Sequence, residues 1–221
     1  VLAPILFQTG AALVAYEFVP EFETGSALEI QAYQTLWFVS CLAMAAWFAV
    51  MSVWSNWLGA GPFAGRMTTD STWISIAVIL GPIILLVPNV IVASVMTEEG
   101  WQYNGDVNQD VFQPRNWTLA FVFVSVIMAP IVEEVAFRGI ALGALIARGL
   151  SPIGAVVLSS FVFAFCHLQY SPAAMFVVFL SGIGFAILRL VSGTVIVPII
   201  AHGAANGVVL SLNWLAANPP T

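Results

Sequence analysis

The chain has 221 residues, 61% hydrophobic and 7% charged, with a formal net charge of −6 and a mean hydropathy of +1.00. Soluble domains carry about 25% charged residues, so this composition specifies an integral membrane protein. Lysine is absent and arginine occurs five times, which leaves no basic surface for counterion release and excludes nucleic acid as a partner.

Seven apolar segments follow one another, at about residues 1–16, 33–57, 73–97, 117–147, 153–169, 173–191 and 194–217, marked by their length and by flanking Gly, Pro and Trp. The segments of alternating hydrophobicity that mark a membrane β-barrel are missing. The expected fold is therefore all-α, a polytopic membrane protein of about seven transmembrane helices. The first segment is short, contains Gln8 and Thr9, and reads equally well as an interfacial helix. It lacks the basic flank of a signal peptide. Cys41 and Cys166 lie in the second and fifth segments and read as small packing residues without a disulfide.

The connections carry the charge. Arg66, Arg148 and Arg189 fall in or at the edge of the second, fourth and sixth, whereas Glu17, Glu21, Glu23 and Glu29, then Glu98, Glu99, Asp106 and Asp110, fall in the first and third. That alternation predicts an N-terminus inside and a C-terminus outside, with Arg115 as the exception. The stretch "TEEGWQYNGDVNQDVFQPRN", with turn chemistry in "NG", reads as a solvated loop. No internal repeat appears, which argues against a transporter built from inverted halves.

In "APIVEEVAFRG", residues 129–139, three charges interrupt an apolar run. A carboxylate at bilayer depth costs at least about 2.5–3.5 kcal/mol, so such a group is expected to have a task. Glu134 and Arg138 stand at i and i+4 with the acid first, the favourable order for an ion pair. Glu133 points about 100° away around the helix and is left over. Only two histidines occur, His167 and His202. Glu133 lies 17 residues before Leu150 and His167 lies 17 after it, so an antiparallel hairpin would bring them to equal depth, about 25 Å from its tip. His202 and Asn206, at i and i+4 on the last segment, share a face among Gly203, Ala204, Ala205 and Gly207, small enough for a neighbouring backbone to approach. Together they offer the donors that a developing oxyanion needs.

"EEVAFR", "FAFCH" and "HGAAN" fit E-E-x-x-x-R, F-x-x-x-H and H-x-x-x-N, and in this order they resemble the CAAX protease and bacteriocin-processing family of glutamic intramembrane endopeptidases. The resemblance covers about residues 115–215 and uses both histidines. It implies a hydrolase in which Glu133, helped by His167, activates a water for attack on a peptide carbonyl. It implies further that His202 and Asn206 bind the tetrahedral oxyanion, and that Glu134 and Arg138 hold the geometry. It also implies two regions: residues 1–110, membrane helices and loops without a recognised motif, and residues 111–217, the protease-like core in the last four helices. The small size fits a prokaryotic member, hence a bacterial inner membrane, with a membrane protein or peptide as substrate.

Two other readings are set beside this one. Glu133, His167 and His202 could ligate zinc with an open position for water, although H-E-x-x-H is absent and the family resemblance implies a metal-free mechanism without cofactors. The same architecture could also serve without chemistry, as a structural or assembly subunit of a larger membrane complex.

Overall fold

The computed structural model describes residues 27–57, 66, 68–96, 119–167 and 170–218. Among them every regular element is helical: α1 (Ala27–Trp57), α2 (Ser71–Met96), α3 (a continuous run over 119–147), α4 (Pro152–Phe165), α5 (Pro172–Ser192) and α6 (Ile196–Ala217). The segment expected at 1–16 and the acidic loop lie outside the described residues. The other six expected segments each correspond to a helix, with ends shifted by a few residues where capping groups decide them.

Those caps are local chemistry. Asp70 Oδ1 accepts from Trp73 N–H at 3.0 Å and opens α2. Ser151 and Ser171, each followed by a proline at the first helical position, accept from Gly154 and Ala174 N–H and open α4 and α5. Gly193, at φ 69°, closes α5 in the left-handed conformation that glycine adopts without strain. The following turn is tied down by Thr194 Oγ1 and Val195 N–H, both donating to Arg66 O.

Three helices, Ser71–Val95, Pro172–Ser192 and Ile196–Ala217, are long and apolar enough to cross a membrane, with mean hydropathies of 2.6, 2.3 and 1.4. Together with the apolar composition of the chain, they make this an integral membrane protein. α4 has 14 residues and spans about 21 Å, short of a hydrocarbon layer of about 30 Å. Its C-terminal end carries Phe163 and, just past it, His167.

Side-chain packing joins the helices into one bundle. α2, α5 and α6 meet at Ala77, Phe185, Leu188, Val197 and Ala201. α1, α3 and α6 meet at Phe48, Val132, Val135 and Val195, and α3, α4 and α5 at Leu142, Val156 and Ala186. Large apolar side chains such as Ile79, Val90 and Val95 point outward, as a lipid-facing surface requires. The tightest crossing is at Gly81, where a Cβ would stand 1.9 Å from Ala201 O, so only glycine lets α2 and α6 touch by backbone. Within α2, Pro88 cannot donate to the Ile84 carbonyl four residues earlier. Ser181 Oγ on α5 donates to that oxygen instead, at 3.2 Å. Cys41 and Cys166 are free thiols.

Candidate active site

The site begins with a proline. Pro130 has no N–H to offer Val126, four residues earlier, or Ser125, five residues earlier. Here α3 widens into a π turn over Val124–Met128, and Ala129 N–H donates to Val124 O. A second π turn spans Val135–Ala141 and closes through Leu142 N–H to Phe137 O. Such turns are rare and recur at functional sites. α6 meets both of the carbonyls that Pro130 leaves: Asn206 Nδ2 donates to Ser125 O at 2.9 Å, and Gly203 lies so close that a Cβ would be 2.6 Å from Val126 O.

Between the two π turns lie Glu133 and Glu134. The Glu134 side chain is fully buried and its Oε1 accepts from Arg138 Nη1 at 3.0 Å, the ion pair expected from the i, i+4 spacing. Arg138 Nη2 donates to Gly182 O on α5, also at 3.0 Å, and its guanidinium lies 4.3 Å from the centre of the Phe163 ring. Gly182 is the seat of that guanidinium: a Cβ there would come within 3.1 Å of Nη2 and 3.2 Å of Phe163. His202 Nδ1 reaches the same Glu134 oxygen at 2.9 Å. One carboxylate oxygen thus holds an arginine from its own helix and a histidine from α6.

The other nitrogen of that ring points to the second glutamate. His202 Nε2 is 3.9 Å from Glu133 Oε2, and the two side chains are 10% and 13% exposed. Phe185 stacks on the imidazole at 4.9 Å and 17°, and Phe163 meets it edge-on at 6.1 Å. Phe163 also meets His167 edge-on, at 4.9 Å, so both histidines touch one aromatic ring. His167 Nδ1 is bonded to Phe163 O at 2.9 Å, across the last turn of α4. A groove of about 490 Å³ lined by Val122, Val126, Gly207, Leu210 and Trp214 runs between α3 and α6, within one turn of Asn206.

All six residues singled out in the sequence lie on the helices and helix end that form this cluster, and the Glu134–Arg138 pair forms as expected. The hairpin count sets His167 opposite Glu133. In the structure Glu133 is near enough to act electrostatically on His167, the imidazole within ion-pair distance of Glu133 among the described residues is that of His202, and the hydrogen bond of His167 goes to the backbone of α4. Equal depth on two helices says nothing about the direction in which a side chain points. Asn206 shares its face with His202 as expected, and one of its two amide N–H groups is engaged by Ser125 O. Of the aromatic walls, Phe163 is the first residue of the F-x-x-x-H motif, without a role assigned to it there, and Phe185 stands outside every motif. Phe163 sits four residues before His167, one helical turn, which is the local signal for it; Phe185 has none. Among the described residues, no group of three His, Cys, Asp or Glu side chains stands in a metal-ligating arrangement.

A membrane-embedded helical bundle holding a buried Glu–Arg pair, a second carboxylate and two imidazoles defines the class. The model of the family described as Rce1-like, type II CAAX prenyl endopeptidase, matches residues 115–208. Over this segment, α3 to the middle of α6, the chain is similar to that family of endopeptidases. No curated protein and no solved structure matches the chain.

Proposed function

We propose that the protein hydrolyses a peptide bond of a membrane protein or membrane-bound peptide, within or at the edge of the bilayer, with Glu133 as general base. The observation that carries this reading is the partly accessible Glu133 carboxylate facing an imidazole whose far side is fixed by a buried ion pair. Glu133 takes a proton from water as the water oxygen attacks the carbonyl carbon, and the proton later goes to the leaving amine. Asn206 keeps one amide N–H beyond its bond to Ser125, and this donor faces the developing oxyanion together with the His202 side of the site. His167, at the end of the short α4, assists Glu133. The apolar groove between α3 and α6, beside Asn206, could seat an apolar stretch of substrate. The arginine distribution supports an N-terminus inside and a C-terminus outside.

A structural role as a subunit of a larger membrane complex draws on other observations, the wholly buried Glu134–Arg138 pair and the Asn206–Ser125 bond, and it makes Glu133 dispensable. Purification from native membranes in mild detergent, with mass spectrometry of what comes down, separates the two. The hydrolase reading expects Glu133→Gln to retain an uncut membrane peptide that the wild type lacks. Fixed stoichiometry with the same large partners in both, and no retained peptide, would refute it.

A further inference from the structure

At one end of the bundle the turn Gly193–Val195 links α5 to α6, and backbone bonds tie two arginines to it. Gly193 N–H donates to Arg189 O at 3.1 Å, and Thr194 Oγ1 and Val195 N–H donate to Arg66 O at 2.9 and 3.1 Å. Arg189 stands in the last turn of α5, and Arg66 stands just ahead of α2. A third arginine, Arg148, caps α3 at the same end: Leu145, Ile146 and Leu150 around it share one apolar cluster with Ile183 and Ala186, the turn of α5 that precedes Arg189.

None of these three guanidiniums is paired with a carboxylate among the described residues. Arg66 Nε donates to Thr68 Oγ1 at 3.0 Å and Arg148 Nη1 to Ala144 O at 3.4 Å, which leaves their other N–H groups for solvent or a ligand. Asp70, the carboxylate beside them, is engaged in capping α2. Two further donors here, Arg189 Nε and Thr69 Oγ1, are shut away from solvent and have no partner among the described residues. A buried donor left unmet is costly, so both call for an acceptor. Ile187, Leu190 and Val191, on the same turns of α5, are exposed apolar side chains. Cationic donors beside lipid-facing side chains suit an anion that arrives with acyl chains attached.

We propose that the junction of α2, α5 and α6 binds the phosphate of an anionic phospholipid through Arg66 and Arg189, with Arg148 adding charge and the acyl chains lying along Ile187 and Val191. The headgroup bridges the segment before α2 to the end of α5, across the turn that starts α6. This end is the inner one in the orientation given above, and anionic lipids give the inner leaflet its negative surface potential. The site draws on no residue assigned to hydrolysis, so it stands or falls separately from that reading.

To test it, the full-length protein in an uncharged detergent is titrated with dioleoylphosphatidylglycerol, with dioleoylphosphatidylcholine, and with inorganic phosphate in the absence of lipid. Native mass spectrometry counts the lipid retained, and circular dichroism follows the unfolding midpoint. Phosphatidylglycerol should stay bound and raise the midpoint, because a ligand of the native state stabilises it by mass action; the other two should do neither. Arg66→Gln removes an exposed side chain and keeps the backbone bonds to the turn, while Arg189→Gln removes the buried donor. Each should weaken phosphatidylglycerol binding about fivefold, and the pair about 25-fold. Arg115→Gln, which takes the same charge from the third connection, should leave binding unchanged. Equal retention of phosphatidylcholine, or the same midpoint rise with inorganic phosphate alone, would overturn the proposal. So would undiminished binding in Arg66→Gln or an equal loss in Arg115→Gln. Should Arg189→Gln fail to fold, Arg66→Gln decides alone.

Discussion

Replacing Arg138 alone by methionine isolates what the buried pair contributes. The substitution removes the Nη1 bond to Glu134, the Nη2 bond to Gly182 O and the contact with the Phe163 ring, all at fully buried positions. Glu134 Oε2 already has no partner among the described residues, so the carboxylate would keep only His202. Breaking a buried pair from one side costs about 3–5 kcal/mol, because the remaining charge is left without compensation. Changing both residues to methionine removes that charge as well, and such exchanges for apolar groups of similar volume are often neutral or stabilising. Unfolding in mixed micelles with a rising fraction of denaturing detergent, followed by circular dichroism, should therefore place Arg138→Met far below wild type and the double variant within about 1 kcal/mol of it. Equal losses in the two variants, or a single-variant loss under about 1 kcal/mol, would refute the reasoning that the site is organised around one shared oxygen. Activity separates from stability here: the double variant should be folded and inactive, because His202 loses the acceptor that orients it.

Other consequences follow from the α3–α6 contact. Gly203→Ala places a Cβ 2.6 Å from Val126 O and should cost about 1–3 kcal/mol in the same unfolding assay, whereas Gly207→Ala, whose Cβ would be 3.9 Å from Val126 Cγ1, should be tolerated within about 0.5 kcal/mol. Asn206→Ala should destabilise by about 1–3 kcal/mol, since it leaves the Ser125 carbonyl without its donor. Adding Pro130→Ala, which restores a backbone N–H to this stretch of α3, should recover part of that loss without recovering activity. Ser181→Ala removes the bond to the Ile84 carbonyl that Pro88 leaves free, and a melting experiment should show a loss of about 1 kcal/mol.

The helices were legible because the apolar runs are long and because Ser-Pro, Asp and Gly mark their ends. The Glu134–Arg138 pair was legible because both residues sit on one helix, where spacing alone decides contact. His202 to Glu134 was not, because it joins residues 68 apart on two helices whose rotation about their axes depends on packing, not on local pattern. The π turns were hidden for a related reason: a helical reading assumes a constant period, and Pro130 announces a break without saying which helix will cover it. For His167 the count along the hairpin gave depth alone, and α4 ends before the histidine, which turns its Nδ1 back onto the carbonyl of Phe163. Among the described residues, length and apolarity alone support three of the expected spans. The run 119–147 carries three charges inside it, and α4 is too short.

The central claim, that Glu133 drives hydrolysis of a peptide bond in the membrane, is tested most directly with heavy-oxygen water. Native membranes containing the wild type or Glu133→Gln are incubated in it, and new peptide C-termini are sought by mass spectrometry. Hydrolysis leaves one water oxygen in each new carboxylate, and loss of the general base should lower labelling by about 10²–10⁴-fold. The account predicts labelled C-termini from a membrane peptide in the wild type and their absence in the variant. The same labelled termini, in the same amounts, in both membranes would contradict it.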